Sequence, residues 1–314
     1  TASFAGAMLD EGTKRRTALQ IASELEGLGA QLNVGSNLDM TGVTLSALKD
    51  NLAPSLDIMA DVVRNPAFDN SEIEKLRARW LAQIEQEKAE PVQLALRLLP
   101  PVMYGEGHAY GVPFTGSGEV ETIKALTRDD LTEFHSTWLR PDNATLFVAG
   151  DATMAEMKPL LERAFGDWRA PAGAVPKKNV AAVTRPAKGR VILVDKPGSP
   201  QSLILAGHVA PPSGAPNAVA INAMNDILGG QFTARVNMNL REDKGWAYGA
   251  YTFLQDARGQ RPYLVYAPVQ TDKTKESLAE LLKELNAFKG SRPATAAPRP
   301  PRVTYDTRLI LGAG

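Results

Sequence analysis

The 314-residue sequence contains no cysteine and only three histidines. The absence of cysteine excludes disulfides, thiolate metal ligands and a cysteine nucleophile. No apolar run reaches the roughly 18 residues that a membrane-spanning helix needs. Charge of one sign is not in excess either, because 35 basic residues balance 35 acidic ones. We therefore expect no membrane span and no nucleic acid or acidic membrane surface as a partner.

The histidines and the common catalytic motifs give no sign of an autonomous active site. His108, His135 and His208 are far apart, and none has a second histidine at helical ligand spacing. A G-x-S-x-G nucleophile elbow and a G-x-x-x-x-G-K-[ST] phosphate loop are both absent. We expect hydrogen-bonded structural roles for the histidines, and the acidic run of Glu85, Glu87 and Glu90 reads as the solvated face of a helix.

The chain is rich enough in apolar residues to build buried cores, since 44% of it is hydrophobic. Helical and alternating patterns follow one another in two successive units, which indicates an α+β fold of two homologous domains, each an antiparallel sheet backed by helices. Residues 1–170 form the first predicted domain. Residues 171–188, rich in Pro, Ala, Lys and Gly, form the linker. Residues 189–290 form a partial second domain, and residues 291–314, with four prolines, are an irregular tail, either disordered or non-native.

Periodicity predicts the individual elements. Capping residues are expected at Ser71, with Glu74 completing a capping box, and at Thr127. Residues 1–30 are helical in pattern, with a polar turn at 10–16. The other predicted helices are 51–64, 71–88, 92–99, 127–138, 154–165, 217–228, one ending near 244, and 273–288. The predicted strands are a hairpin over 31–48 turning at 35–39, then 144–149, 190–194, 202–209, 247–254 and 263–269.

One stretch, Leu228–Thr252, combines a cation and a phenol. It reads as a glycine-opened helix that carries Arg241 and ends near Lys244, followed by a strand that begins near Trp246 and carries Tyr248. A phenol can donate to a carbonyl oxygen that becomes an oxyanion, and a guanidinium can hold a peptide carbonyl in its donor fork. Two plainer interpretations stay open: Arg241 interacts with its helix end, and Tyr248 is an ordinary strand aromatic.

Five segments, in order, resemble the pitrilysin/insulinase family of zinc peptidases. They are SFAGAMLDEGTKRR, LEGLGAQLNVGSNLDMT, YGEGHAYGVPFTGSGEVETIKALTRDDL, WLRPDNATLFVAGD and LGGQFTARVNMNLREDKGWAYGAYT. The resemblance covers residues 1–295 and implies one half of a clam-shell peptidase. The family's first strands and the helical end of its second domain have no counterpart here.

The resemblance also identifies the family's zinc positions. Its zinc helix carries H-x-x-E-H, in which two histidines hold zinc and the glutamate activates water, and a later glutamate is the third ligand. The matching residues here are Ser3, Gly6, Ala7 and, for the later glutamate, Gln83. Ser3 offers only a hydroxyl, Gln83 only an amide, and Gly6 and Ala7 have no side-chain donor atom. Such a set cannot hold zinc with useful affinity, so we expect this chain to bind none.

The resemblance implies that Arg241 and Tyr248 bind peptide backbone, with 229–233 shaping the adjacent helix start. The chain would be the non-catalytic subunit of a heterodimer, inactive alone. A homologous H-x-x-E-H partner would carry the zinc, and the substrates would be short or unfolded peptides. Two alternatives remain: a scaffold without peptidase work, as in respiratory-complex core subunits of this family, and a module that captures peptides without cleaving them. The periplasm is the expected compartment, with the cytoplasm as the alternative.

Overall fold

The computed structural model describes residues 1–186 and 188–290. Both halves mix helices with small antiparallel sheets, as the α+β prediction states. The helices are α1 Ala2–Ala7, α2 Ala18–Gly27, α3 Leu52–Arg64, α4 Asn70–Ala89, α5 Pro91–Tyr104, α6 Val120–Ala125, α7 Arg128–Trp138, α8 Met154–Phe165, α9 Ala218–Asn225, α10 Arg235–Asn237 and α11 Thr274–Gly290. The strands are β1 Gln31–Ser36, β2 Thr41–Ser46, β3 Gln201–Ala210, β4 Tyr251–Leu254 and β5 Arg261–Gln270.

The first half packs its helices around the β1/β2 hairpin. The two strands are antiparallel, with Gln31 opposite Ser46 and Ser36 opposite Thr41, so the predicted hairpin is confirmed. α1 lies against both strands and buries the apolar face that its helical spacing creates. The core includes Phe4, Met8, Leu9, Ile21, Ile58, Val62, Ile73, Ile84 and Leu131.

Helix starts in this half follow the capping rules only in part. Thr127 accepts a hydrogen bond from the backbone of Asp130, whose side chain bonds back to Thr127, so the predicted cap of α7 is confirmed. The predicted cap at Ser71 is wrong. α4 begins one residue earlier, at Asn70, and Asp69 precedes it without a side-chain capping bond.

Two predicted strands are absent from the described structure. Residues 144–149 and 190–194 have the apolar composition of strands, but neither is assigned to a strand or paired with a described strand. Phe147 and Leu193 consequently lie exposed. A strand exists only where its backbone groups bond to a neighbour, and composition cannot supply that neighbour.

The second half is a three-stranded antiparallel sheet in the order β3–β5–β4, backed by α9, α10 and α11. β5 is the central strand, and seven of its ten residues are buried. Leu228, Val236, Leu240, Val265, Ala267, Val269 and Leu281 belong to the core of this half.

A nearly buried carboxylate, Asp39, joins the two halves at the tip of the β1/β2 hairpin. It accepts hydrogen bonds from the Tyr110 hydroxyl (2.8 and 2.9 Å) and from the backbone N–H of Arg258 (2.8 Å). The Tyr110 oxygen accepts in turn from the N–H of Gly259 at 3.0 Å. Burial raises the pKa of Tyr110 to about 12, so its hydroxyl stays a donor. Lys178 adds an ion pair at 3.3 Å.

The segment between the halves has no helix or strand in residues 171–186 or at 188. It is not free of contacts, because Val180 and Val183 pack against the apolar cluster that contains Tyr104 and Tyr110. The domain division at 171–188 stays a prediction, and the predicted tail at 291–314 lies outside the described residues. No helix in the described part is both long and apolar enough to cross a membrane.

His135 gives the fold a predictable pH dependence. Its Nε2 atom lies 2.7 Å from the Val63 carbonyl oxygen, and burial lowers the pKa of the imidazole below its ordinary value of 6.5. The unfolded chain therefore takes up a proton at a pH where the folded protein does not. The His135 contribution to stability is complete above about pH 6.5 and is lost as the pH falls further.

We predict that His135→Gln, which removes this titration, reduces the fall in free energy of unfolding between pH 7.5 and 5.5. Urea unfolding of parent and variant at both pH values measures it. Equal falls in the two proteins would contradict the assignment.

Candidate functional site

Arg241 and Tyr248 lie together in the structure, at the surface of the second half. The guanidinium carbon of Arg241 is 5.3 Å from the centre of the Tyr248 ring and 4.4 Å from the centre of the Phe232 ring. Its Nε atom forms a weak ion pair with Glu242 at 3.4 Å. The Arg241 side chain is 29% exposed, and among the described residues its two terminal nitrogens make no hydrogen bond. They can therefore donate to a ligand.

The helix that carries Arg241 is built differently from the predicted one. α10 starts at Arg235 after the extended Ala234 and continues as wider, π-helical turns over Met238–Asp243. The glycines at 229–230 do not open it; they end the preceding helix, whose last turns span Asp226–Gly230. A Cβ on Gly229 would lie 2.6 Å from the Thr252 hydroxyl. Glycine is therefore needed for close approach to β4, and the prediction of a glycine-opened helix is wrong.

The helix ends where expected. Gly245 has φ +65°, the left-handed conformation that glycine adopts freely after a helix, and its N–H bonds to the Arg241 carbonyl oxygen at 3.0 Å. Arg241 thus stands in the last helical turn, where a cation also interacts favourably with the helix dipole. The plainer interpretation of Arg241 is compatible with this geometry and stays open.

Tyr248 owes its exposure to a bulge in front of β4. Ala247 pairs with Val269 of β5, and Tyr251 pairs with Tyr266. Between these two pairs the chain advances four residues on the β4 side, from 247 to 251, but only three on β5, from 269 to 266. The β4 side therefore contains one extra residue. A bulge of this kind interrupts pairing and redirects side chains. The predicted strand start near Trp246 is wrong for this reason, and Tyr248 is 84% exposed.

The residues predicted to match the family's zinc positions lie in the first half, where Gly6 is buried and Gln83 is exposed. Ser3, Gly6 and Ala7 lie on α1, and a Cβ on Gly6 would already lie 3.0 Å from the Ser36 hydroxyl of β1. Gln83 lies on α4 and donates to the Glu87 carboxylate at 3.0 Å. The structure thus gives Gln83 a role in a hydrogen-bond network.

Glu87 is the centre of that network, which sequence reasoning missed. Its second carboxylate oxygen accepts from Arg97 at 2.9 Å and from the Ser117 hydroxyl at 2.6 Å. Burial would raise the pKa of Glu87, but the hydrogen bonds outweigh it and hold that pKa below its usual range. Glu87 is therefore an ionised, buried partner of Arg97. The prediction that it belongs to a solvated helix face is wrong; the charge pattern could not show that α5 covers it.

These donors do not fit zinc. A serine hydroxyl and an amide are poor ligands, Gly6 and Ala7 offer no side-chain donor, and Glu87 is already saturated. Within residues 1–186 and 188–290 no group of three or more His, Cys, Asp or Glu side chains lies close enough to hold a metal. The histidines are bonded to backbone carbonyl oxygens: His108 to Ala181, His135 to Val63 and His208 to Val209.

The fold and this altered helix define the class of protein, a half clam-shell of the pitrilysin type. The model for "Insulinase (Peptidase family M16)" matches residues 1–111, and the model for "Peptidase M16 inactive domain" matches residues 125–296. The chain belongs to peptidase family M16.

Relatives of known sequence are similar over most of this chain. The uncharacterized zinc protease YmxG of Bacillus subtilis is 24% identical over 277 residues, covering 88% of this chain and 65% of its own length. Subunit 1 of the human mitochondrial cytochrome b-c1 complex is 26% identical over 223 residues, covering 70% of this chain and 45% of its own. The chain thus spans about two thirds or less of the length of these relatives.

Solved structures share the fold. A peptidase M16 inactive domain from Pseudomonas fluorescens has a TM-score of 0.83 at 24% identity, covering 93% of this chain and 70% of that one. A protease from Helicobacter pylori has a TM-score of 0.79 at 20% identity, covering 91% and 72%. The first half of the periplasmic protease PqqL from Escherichia coli has a TM-score of 0.64 at 18% identity, covering 90% and 62%.

The buried ion pair predicts a large loss on breaking it. Glu87→Ala removes the buried counter-charge of Arg97 and leaves only the exposed Glu119 at 3.4 Å, so we expect a loss of about 3–5 kcal/mol in free energy of unfolding. Glu85→Ala on the same helix is the matched control; its partner Lys88 is exposed, and we expect a change within about 0.5 kcal/mol. Urea unfolding compares them, and similar losses would show that the network stabilises little.

The donor set predicts that the chain alone does not bind zinc in a defined site. Titration of the metal-free chain with zinc, followed by calorimetry, is expected to show no stoichiometric binding at micromolar concentrations. Binding of one zinc ion per chain that Gln83→Ala abolishes would contradict the expectation.

Proposed function

We propose that this chain is the non-catalytic, substrate-binding subunit of a heterodimeric zinc peptidase. The observation that carries the proposal is the pairing of an exposed Tyr248 with the Arg241 guanidinium in a chain whose zinc positions hold no ligands. The partner would be a homologous subunit with an intact H-x-x-E-H helix, supplying the metal and the water-activating glutamate. The match to the M16 inactive domain supports this division of work.

The pair is suited to bind peptide backbone. The terminal guanidinium nitrogens of Arg241 can donate two hydrogen bonds in one plane to a carbonyl oxygen. The Tyr248 hydroxyl can donate to the carbonyl oxygen that becomes negative as water adds to it. Neither group requires zinc on its own chain; each has only to face zinc on another.

Short or unfolded peptides are the proposed substrates, because this surface contacts backbone groups that a folded protein already uses internally. The proposed compartment is the periplasm. The shared fold with a protein described as the periplasmic protease PqqL is compatible with that compartment.

A scaffold role is the second candidate, and the similarity to a cytochrome b-c1 complex subunit favours it. In that case Arg241 and Tyr248 would be packing residues. Affinity purification of the tagged chain at native expression level separates the two candidates. The peptidase proposal expects one homologous subunit with H-x-x-E-H, whereas the scaffold proposal expects a large assembly without it.

We predict that Tyr248→Phe, which removes only the hydroxyl, lowers kcat of the reconstituted complex on a fluorogenic peptide by about 100-fold, as loss of one oxyanion donor does. Arg241→Ala is expected to raise KM by about tenfold, from the loss of a charged hydrogen bond. Tyr266→Phe, on β5, is the matched control and should leave both constants unchanged. Unchanged turnover in Tyr248→Phe would rule out the assigned role.

A further inference from the structure

A second aromatic ring, that of Phe232, lies against the guanidinium of Arg241. Phe232 occupies the turn between the end of α9 and the start of α10 and is 51% exposed. Its ring centre is 4.4 Å from the guanidinium carbon, nearer than the 5.3 Å of Tyr248. Phe232 does not belong to the core of the second half. Its contact with Arg241 therefore cannot be explained as a by-product of core packing.

We propose that Phe232 and Asn237 are positioning residues for Arg241, an inference that rests on the proposed substrate-binding role. Phe232 holds the plane of the guanidinium by stacking. Asn237 fixes the two backbone segments that carry the rings of Phe232 and Tyr248. Together they hold the donor fork of Arg241 ready for a peptide carbonyl before any peptide arrives.

Asn237 is fully buried and connects the two segments that carry the rings. Its Nδ2 atom donates to the Phe232 carbonyl oxygen at 2.7 Å, and its Oδ1 atom accepts from the N–H of Ala250 at 3.1 Å. Ala250 lies at the end of the bulge that exposes Tyr248. The side-chain amide of asparagine supplies a donor and an acceptor on separate atoms, so it serves both segments at once. Asn237 therefore sets the distance between the turn that carries Phe232 and the bulge that carries Tyr248.

Stacking suits a guanidinium that has to bind a carbonyl. Its faces are poorly hydrated and attract the π-electrons of an aromatic ring, whereas its N–H donors lie in the plane. A ring against the face leaves every in-plane donor available. An arginine held in this way loses less rotational freedom when a peptide binds, which strengthens binding without a new contact to the peptide.

The first test uses the chain alone and a spectroscopic signature. In a nitrogen–proton NMR spectrum, the Arg241 Nε–Hε resonance, assigned with Arg241→Lys, is expected to be displaced by the ring currents. Phe232→Tyr keeps an aromatic face and should retain most of the displacement. Phe232→Leu keeps the apolar bulk but not the π face and should lose part of it. An Arg241 resonance that is the same in the parent and the Leu variant would overturn the stacking.

The second test measures binding by the chain of a fluorescein-labelled acetyl-Ala-Ala-Val-Ala-Ala-Lys-amide probe, followed by fluorescence anisotropy. We expect Phe232→Leu to weaken binding about fivefold, the size of one partly exposed cation–π contact, and Phe232→Tyr to restore it. Phe253→Leu, a part-exposed phenylalanine on β4, is the matched control and should change nothing. Equal affinity in the parent and Phe232→Leu would overturn the positioning role.

Asn237→Asp extends the test to the connecting amide. It keeps an acceptor for Ala250 but replaces the donor to Phe232 with a second acceptor, so the displacement of the Arg241 resonance should decrease. Circular dichroism establishes that the variant is folded. If it is not, Phe232→Leu and Phe232→Tyr decide the question without it.

The results separate this inference from the proposed function. If Arg241→Ala abolishes probe binding while Phe232→Leu does not weaken it, the substrate-binding role stands and the positioning role falls. If Phe232→Leu shifts the Arg241 resonance while Arg241→Ala leaves probe binding unchanged, the stacking stands and the substrate-binding role falls.

Discussion

The carboxylate of Asp39 links the two halves, beside the packing of α5 against β3 and the hydrogen bond from Tyr104 to the Gln260 carbonyl oxygen. It receives hydrogen bonds from Tyr110 of the first half and from the backbone of Arg258 of the second. From Arg258 the chain enters β5, and β5 pairs with Ala247, the residue next to Tyr248. α1 rests on the same hairpin that carries Asp39. A short series of packed and hydrogen-bonded elements thus connects α1 to the arginine–tyrosine pair.

The residues predicted to matter for function have different surroundings in the two halves. In the first half, Gly6 packs close to β1 and Gln83 joins the buried network of Glu87 and Arg97. Glu87 and Arg97 are buried and bonded to each other there, whereas Gln83 itself is exposed. In the second half, Arg241 keeps its terminal donors free of described partners and Tyr248 extends into solvent. The proposed binding role rests on this pair and not on the residues of α1 and α4.

Much of the fold could be predicted from the sequence because most elements carry a local signal. The β1/β2 hairpin alternates, the Thr127 cap has its partner three residues on, and Arg241 and Tyr248 occur in a recognisable segment. What could not be predicted depends on residues distant in sequence. Burial of Glu87 requires Arg97 and Ser117, and the strand patterns at 144–149 and 190–194 lack a described neighbour. Phe232 gave no periodic signal, since it lies in a turn and matters through one contact.

The bulge before β4 also limits how this region can evolve. Side chains alternate between the faces of a strand, so removing the extra residue would bring 247–251 into regular register with β5 and turn Tyr248 towards the opposite face. The sheet itself would survive, and every neighbouring residue could be unchanged. The number of residues between Arg241 and Tyr248 thus decides which face of the sheet the phenol occupies.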